Sequence, residues 1–453
     1  MKKLVTLVLV FCTLVTEATH LKAGYITVER TSATARTCKI TITVYTDTRS
    51  PVLFGGEQDV LDFGDGTTML IPETPSIPLT GSANVGVASY TVTHTFPAGG
   101  SFLISYIEPN RNEGVMNMEN SVLTTFYIET NINLDSHDWF SSTPEFLTPP
   151  IFHVVTQSDV SLSLGAVSKD DYIVSYELGT PYRDRGTPVS GYQLPENFQI
   201  NPHNGLVTWD TKFNGMFCLG EFIYTVKVHL YKKEGDITYR VCTVSADFQI
   251  IVEDFPFMGI VYDTTDTDEN GRLFIPNNNS RTVKIFFEVP TAAPDPEVIA
   301  YSEISDNGDA FSFTTYDSST APHIHVGVLT LHSIHSINRV NPYLITVRGK
   351  HSGQYSSDLL YLFYTQDLHP EEIVLAVYKE EALIQLFPNP SKDFVKILVP
   401  GNQVGTVMVY DATGNLIHSQ TGNVIDIHHL KRGLYFCTVR YGSKIKRAKF
   451  IKD

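Results

Sequence analysis

Cysteine is scarce in this sequence, with 5 in 453 residues, and one of them, Cys12, sits inside an apolar N-terminal run. The other four, Cys38, Cys218, Cys242 and Cys437, show no C-x-x-C or other metal-type spacing, which argues against zinc-ribbon and thioredoxin-type chemistry. Long hydrophobic runs are missing too. After the N-terminal stretch nothing approaches the roughly 18 apolar residues that a membrane-spanning helix needs. No G-x-S-x-G, H-E-x-x-H or phosphate-cradling glycine loop occurs, so no local catalytic signature stands out. A glycosidase stays open, because its two carboxylates leave little local pattern. Basic charge is in deficit: 33 Lys+Arg against 49 Asp+Glu give a formal net charge of −16. Such a chain repels nucleic acid and anionic surfaces, and neither is expected as a partner.

What is present favours strands. The 23 Tyr and 26 Phe, with abundant Thr and Val, suit pleated, half-buried surfaces. At about 150 residues per domain the length suggests roughly three domains. The N-terminus has the form of an export signal: Lys2 and Lys3 precede an apolar run from Leu4 to Val15, then Thr16-Glu17-Ala18 offers small residues for cleavage. Residues 1–18 are thus expected to be a signal peptide, with the mature chain starting at Thr19. Bulky Phe11 argues against lipidation of Cys12.

The body divides into expected units at 19–133, 134–254 and 255–368, followed by a linker at 369–382 and a terminal module at 383–453. In the first unit Ile40, Ile42 and Val44 alternate with Thr41, Thr43 and Tyr45, and Phe102, Ile104 and Tyr106 alternate likewise. Turns such as Gly64-Asp65-Gly66 and Ala98-Gly99-Gly100 punctuate these runs, a β-sandwich pattern. The second unit opens on the proline-rich Thr143–Ile151 segment, which suits an edge strand. Its long hairpin should place Tyr224, Val226, Val228 and Leu230 on one face. Turning that hairpin at Lys233-Glu234-Gly235-Asp236 pairs positions summing to 469, with Cys242 opposite Lys227 and Cys218 opposite Ile251. A direct Cys218–Cys242 bridge is therefore not expected. The third unit has its clearest strands at Thr282–Phe287 and Tyr343–Val347. Within the linker, 370–381 reads either as a helix or as a last strand plus connection.

Several candidate sites follow. Asp62 and Asp65 could bind calcium, although Asp and Gly together more often shape a turn. Arg111, between Asn110 and Asn112, could read a ligand; the favoured reading is a brace for backbone carbonyls and a carboxylate. His323 and His325, two apart, would share a strand face and could hold zinc or nickel, with His332 and His335 close in sequence. Ordinary surface histidines are the favoured reading there.

The sequence Asp62-Phe63-Gly64-Asp65-Gly66, followed by His94-Thr95-Phe96 and Gly100-Ser101-Phe102-Leu103-Ile104, resembles polycystic-kidney-disease-type (PKD) domains, which are immunoglobulin-like sandwiches. Glu108–Asn112, with Asn120-Ser121 and Phe126-Tyr127-Ile128, is similar to a PKD-like domain of surface proteins labelled gliding-motility-associated. Phe198–Trp209 resembles a recurrent step of cadherin- and immunoglobulin-like repeats. Where such repeats can carry a calcium-binding run of aspartates, this chain has Ser168-Lys169-Asp170-Asp171-Tyr172, in which the lysine and the shortage of further carboxylates argue against calcium. Likeness in the third unit rests on Tyr301-Ser302-Glu303 and Arg339–Tyr343. The implied fold class is all-β, tandem immunoglobulin-like (PKD/cadherin-like) sandwiches ending in a smaller one.

The terminal module differs in charge. From Leu383 onward there are 10 Lys+Arg and 4 Asp+Glu, a net of +6, whereas the body without the signal carries a net of −23. It opens on Pro388-Asn389-Pro390, runs through Val407–Tyr410 to Asp411 and Gly414, then through Gly433-Leu434-Tyr435, and ends on Lys446 and Lys449. Those markers, in order, resemble the type A C-terminal sorting domain of the type IX secretion system of Gram-negative bacteria. Seven short strands in two sheets would be its natural architecture. The resemblance implies recognition by the outer-membrane translocon and its sortase machinery. It also implies proteolytic removal, with the body released or attached to lipopolysaccharide at the cell surface. The expectation is a non-enzymatic secreted or surface protein for adhesion, matrix or motility-associated structure, with a glycan or protein ligand. The alternative is a secreted glycosidase or peptidase on the same route. Deleting residues 383–453 should trap the chain in the periplasm, read by fractionation and surface proteolysis; unchanged surface display would overturn the sorting assignment.

Overall fold

The computed structural model describes residues 21–79, 82, 84–134, 140–170, 172–211, 218–234, 237–254, 259–263, 267, 271–289, 296–319, 321, 323–339, 341–351, 354–355, 358–365, 385–398, 405–411, 415–441 and 444–453. The expected signal peptide, the 369–382 linker with its helix-or-strand alternative, Asp171 and Gly414 lie outside them. Strands dominate; the helical turns described are short 3₁₀ pieces at Ser121–Leu123 and His335–Ile337. Among the described residues no helix is long and apolar enough to cross a membrane.

The alternation seen in the sequence becomes burial. Ile40, Ile42 and Val44 are fully buried, as are Phe102, Ile104 and Tyr106, and they meet in one core with Ile26, Phe96, Phe126 and Ile128. Strand Leu21–Arg30 pairs antiparallel with Thr37–Asp47, which pairs with Val85–Thr95. Gly24 is required where these strands pack: a β-carbon there would stand 2.8 Å from the Thr43 carbonyl oxygen.

The longest strand, Ile237–Glu253, organises the body. One edge pairs along its length with Gly220–Glu234. The other takes three partners in succession: Phe126–Leu134 at Cys242 to Ser245, Leu21–Arg30 at Asp247, and Ile151–Val155, in parallel, from Gln249 to Glu253. One sheet therefore runs across the expected 133/134 boundary. On the hairpin, Tyr224, Val226, Val228 and Leu230 are all buried, and so are Thr225 and His229 between them, so both faces are covered. The register differs from the even one expected. Glu234 opposes Ile237, and an irregularity at Leu230/Tyr231 adds one residue, so Cys242 opposes Leu230 and Lys227 opposes Ser245. A β-bulge of this kind sets one extra residue on one strand, here Val241, which is buried beside Cys242. Cys218 and Cys242 are free thiols.

The third unit is a separate two-sheet sandwich. Gly259–Asp263, Ser280–Glu288, Ile324–His332 and Phe311–Asp317 form one sheet; Arg272–Phe274, Leu359–Tyr364, Tyr343–His351, Glu297–Ser302 and Gln354–Tyr355 form the other. Val283, Ile285 and Phe287 from one face Ile345, Val347 and Phe363 from the other. The two stretches that carried the thin likeness meet. Arg339 donates to Glu303, and its guanidinium lies 3.8 Å from the Tyr343 ring centroid.

A buried clip joins this unit to its predecessor. Arg348 makes a bidentate pair with Asp358, Nε to Oδ1 at 2.6 Å and Nη2 to Oδ2 at 2.8 Å. Asp358 also accepts from the Ser163 amide at 2.6 Å, and its own amide donates to the Ser161 carbonyl at 2.7 Å. Arg348 lies over the Phe152 ring. With both groups almost fully buried, removing one leaves the other charge stranded in an apolar seam. Asp358→Asn should lower stability by about 3–5 kcal/mol in denaturant unfolding, whereas Arg348→Met with Asp358→Leu should recover much of the loss.

Candidate functional site

Three arrangements of polar groups stand out, and each gathers residues far apart in sequence.

The first is the PKD-like skeleton. Asp62 Oδ1 accepts the Gly64 amide at 2.7 Å, and Asp65 Oδ1 accepts the Thr67 amide at 3.0 Å. Gly64 and Gly66 carry φ of 79° and 92°, the left-handed backbone this turn needs. Asp65 Oδ2 meets His94 Nε2 at 2.7 Å, while the His94 ring stacks on Phe63 with centroids 3.9 Å apart. Asp62 Oδ2 pairs with Arg185 at 3.0 Å. Burial would raise the Asp65 carboxyl, but hydrogen bonds from His94 and Thr67 outweigh it and hold the group below the usual carboxylate range. The motif thus ties a turn to a strand, and these carboxylate oxygens are already engaged. At the corresponding place in the second unit, Lys169 pairs with Glu145 at 2.7 Å and Asp170 accepts from Ser141.

The second is the seam at Asp247. Arg111, 1% exposed, pairs with Asp247 Oδ2 at 2.7 Å, donates to the Tyr182 carbonyl at 3.2 Å and lies 5.0 Å from the Phe126 ring centroid. Thr225 donates to the other Asp247 oxygen at 2.6 Å. Beside them Glu221 collects Lys22 at 2.9 Å, Asn112 at 2.6 Å and Gln249 at 2.6 Å. Asn110 is half-buried at the start of this loop. Arg111 braces carbonyl, carboxylate and ring between the first and second units.

The third is a chain of Ser82 Oγ, His153 and Glu253. Ser82 Oγ stands 3.2 Å from His153 Nε2, and His153 Nδ1 stands 3.0 Å from Glu253 Oε2. This is the order of groups in an acyl-transfer triad. Ser82 and His153 are buried, and the Ser82 amide donates to Leu79 O at 3.2 Å. Nothing local in the sequence flags these residues, since they come from a turn and two strands more than 70 positions apart.

The expected histidine pair does not share a strand face. His323 lies exposed in the turn before Ile324–His332, while His325 is buried with Nδ1 2.8 Å from Asp317 Oδ1. Among the described residues the one group of three potential metal ligands is elsewhere: Asp426, His428 and His429. A turn in the terminal module thus gathers histidines that the sequence pattern did not flag.

That module is a small two-sheet sandwich. Gln385–Phe387, Phe394–Leu398 and Val424–Asp426 form one sheet, and Leu416–Thr421, Thr406–Tyr410, Gly433–Tyr441 and Lys444–Lys452 the other. Its marker residues mostly build the fold. Asn389 Oδ1 accepts the Ile451 amide at 2.8 Å and its Nδ2 donates to Lys449 O at 3.2 Å, so the Pro388-Asn389-Pro390 start grips the last strand. Asp411 Oδ1 accepts the Asn415 amide at 2.9 Å across the turn after Tyr410. Past Gly433, Tyr435 stacks on Phe450 and donates to Lys431 O at 2.7 Å. Lys446 stands opposite Val439 on the last strand, and Lys449 is exposed there.

Fold and markers together define an all-β protein of serial sandwiches that ends in a small sandwich bearing the sorting-domain markers. Residues 385–453 match the family model described as a secretion system C-terminal sorting domain. The chain therefore carries a sorting domain for export to the cell surface or the medium, and the type IX secretion machinery is its implied partner. No curated protein matches the chain. Among solved structures it is similar to the N-terminal four Ig domains of Dscam1 isoform 6.44, at 13% identity over 96% of this chain and 99% of that one, with a TM-score of 0.19.

A further pair of acids sits in the first core. Glu108, 4% exposed, accepts from the Tyr106 hydroxyl; burial and then the Asp59 charge push its carboxyl up to about 8. Burial alone pushes Asp59 up to about 6. Both are raised above their unfolded values. Their contribution is therefore whole below about pH 4, where both groups are protonated in either state. It is lost as pH rises through about 6 and about 8. Stability of the body should fall by up to about 1.4 kcal/mol per pH unit per group across that window. Glu108→Gln should flatten the upper part of the curve in denaturant unfolding run from pH 4 to 9; an unchanged slope would refute it.

Proposed function

We propose that this protein is a non-enzymatic surface or secreted protein, serving adhesion or a structural, motility-associated role, with residues 19–368 as the displayed body. The observation that carries this reading is where the body places its charges. Arg111–Asp247 is a buried ion pair between the first and second units, and Lys22–Glu221 joins the same two with its lysine buried; the buried Arg348–Asp358 pair of the third unit reaches the second through Ser161 and Ser163. A serial array held stiff at its junctions suits presentation of a ligand-binding surface away from the cell. Its acidic balance favours a neutral glycan or a basic protein patch over nucleic acid.

A second reading, a secreted hydrolase, has two observations in its favour. One is the Ser82–His153–Glu253 alignment. The other is a cleft of about 180 Å³ between the first and second units that holds Glu29 and Glu145 together with Lys39 and Lys169. Glu145 is already paired with Lys169, which weighs against a paired-carboxylate mechanism there.

A glycan and matrix-protein array probed with the purified body should give saturable binding to a narrow class of ligand. Esterase, peptidase and glycosidase panels should stay at the level of Ser82→Ala and Glu145→Gln controls. Turnover abolished by either substitution would replace the binding reading with the hydrolase one.

A further inference from the structure

We propose that the terminal module binds one divalent first-row transition ion of the zinc class through Asp426, His428 and His429, with His418 at the fourth side. The donor atoms of the first three lie within 4.8 Å of one another. The His418 ring lies 5.7 Å from that of His429 and the His428 ring 5.5 Å from that of His429, centroid to centroid; His418 Nε2 meets Gln420 Oε1 at 2.8 Å, so Nδ1 is the atom it would offer.

Local structure explains the convergence. Neighbouring residues on a strand point to opposite faces, so His428 and His429 could not share a ligand there. Here the strand ends at Asp426, and Leu430 N donates to Ile427 O at 2.9 Å, closing a turn. Ile427 is buried and Leu430 packs on the same core, which leaves both intervening histidines outside. Asp426 Oδ1 accepts the His428 amide at 3.0 Å and stands 2.5 Å from His428 Nδ1, so the carboxylate and the first ring are held together. His428 Nε2 and Asp426 Oδ2 remain as donors for a cation.

His418 comes from the other sheet. It sits on Leu416–Thr421, the outer strand of the four-stranded sheet, and Asp426 ends Val424–Asp426, the outer strand of the three-stranded one. A bound ion would therefore bridge the two sheets at an open margin of the sandwich. Two or three imidazoles and one carboxylate suit zinc, nickel or copper, and are poor ligands for calcium or magnesium, which take oxygen. A tetrahedral zinc with bonds of about 2.0–2.1 Å needs donors about 3.4 Å apart. The three side chains are exposed, so rotation about their free torsions can close the gap.

The test uses the full chain through Asp453, titrated with Zn²⁺ by calorimetry and with Co²⁺ by visible absorption. One site is expected on the wild type, with tetrahedral cobalt bands. His428→Ala with His429→Ala should abolish it. His418→Ala should weaken it by roughly 10–100-fold, the size of a lost supporting ligand. His323→Ala with His325→Ala should leave it intact. No zinc binding to the wild type, or binding that survives loss of His428 and His429, would overturn the assignment. Because all of these positions but His325 lie at or near the surface, circular dichroism of each variant checks that the fold is kept.

Discussion

Much of the body depends on one strand changing partners. Ile237–Glu253 is bonded on one side to a single hairpin mate and on the other to three strands in turn. Where a strand passes from one neighbour to the next, its backbone and side chains lose the regular environment of a sheet interior. Asp247 sits at that passage, opposite Gly24, and there the chain places the Arg111 guanidinium. A charge pair at a junction costs desolvation that an apolar pair would not. It supplies in return a fixed direction: a planar fork meets a carboxylate, a carbonyl and a ring in one geometry, so the two units join in one orientation rather than many.

The same device recurs at the next junction, with a different partner set. Arg348 and Asp358 both belong to the third unit, yet Asp358 reaches into the second through Ser161 and Ser163. Both junctions use an arginine over an aromatic ring, Phe126 in one and Phe152 in the other. The body is thus held in series by desolvated charges as well as by apolar contact, and this is where many of its buried charged side chains are found.

Legibility in the sequence follows from the range of the interaction. Alternation is local, so Ile40, Ile42 and Val44, the Thr282–Phe287 strand and the strands of the terminal module could be read directly. Turn chemistry is local as well: Asp62 and Asp65 fasten the turn that their spacing implied, and Arg111 braces a carbonyl and a carboxylate. Long-range partnership is not local. Asp247 as the mate of Arg111, and Ser82 as the neighbour of His153, carry no periodic signal. The hairpin register departs from the even expectation for two reasons: the turn falls one residue later, so that Glu234 opposes Ile237, and a bulge beyond Tyr231 shifts every later pair by one more. The histidines show the same limit from the other side. His323 and His325 looked paired by number, but the strand begins between them; His428 and His429, adjacent in number, converge because a turn removes them from the strand.

The seam also bears on the order in which such a chain can fold. Lys22 and Glu221 are 199 residues apart, and the sheet around Leu21–Arg30 is incomplete until Ile237–Glu253 arrives. Closing loops of that length makes folding slow, since the ordering cost comes before the contacts that offset it. The first unit of this protein cannot finish its own sheet until the second supplies Ile237–Glu253. The first and second units therefore complete their shared sheet together, not one after the other.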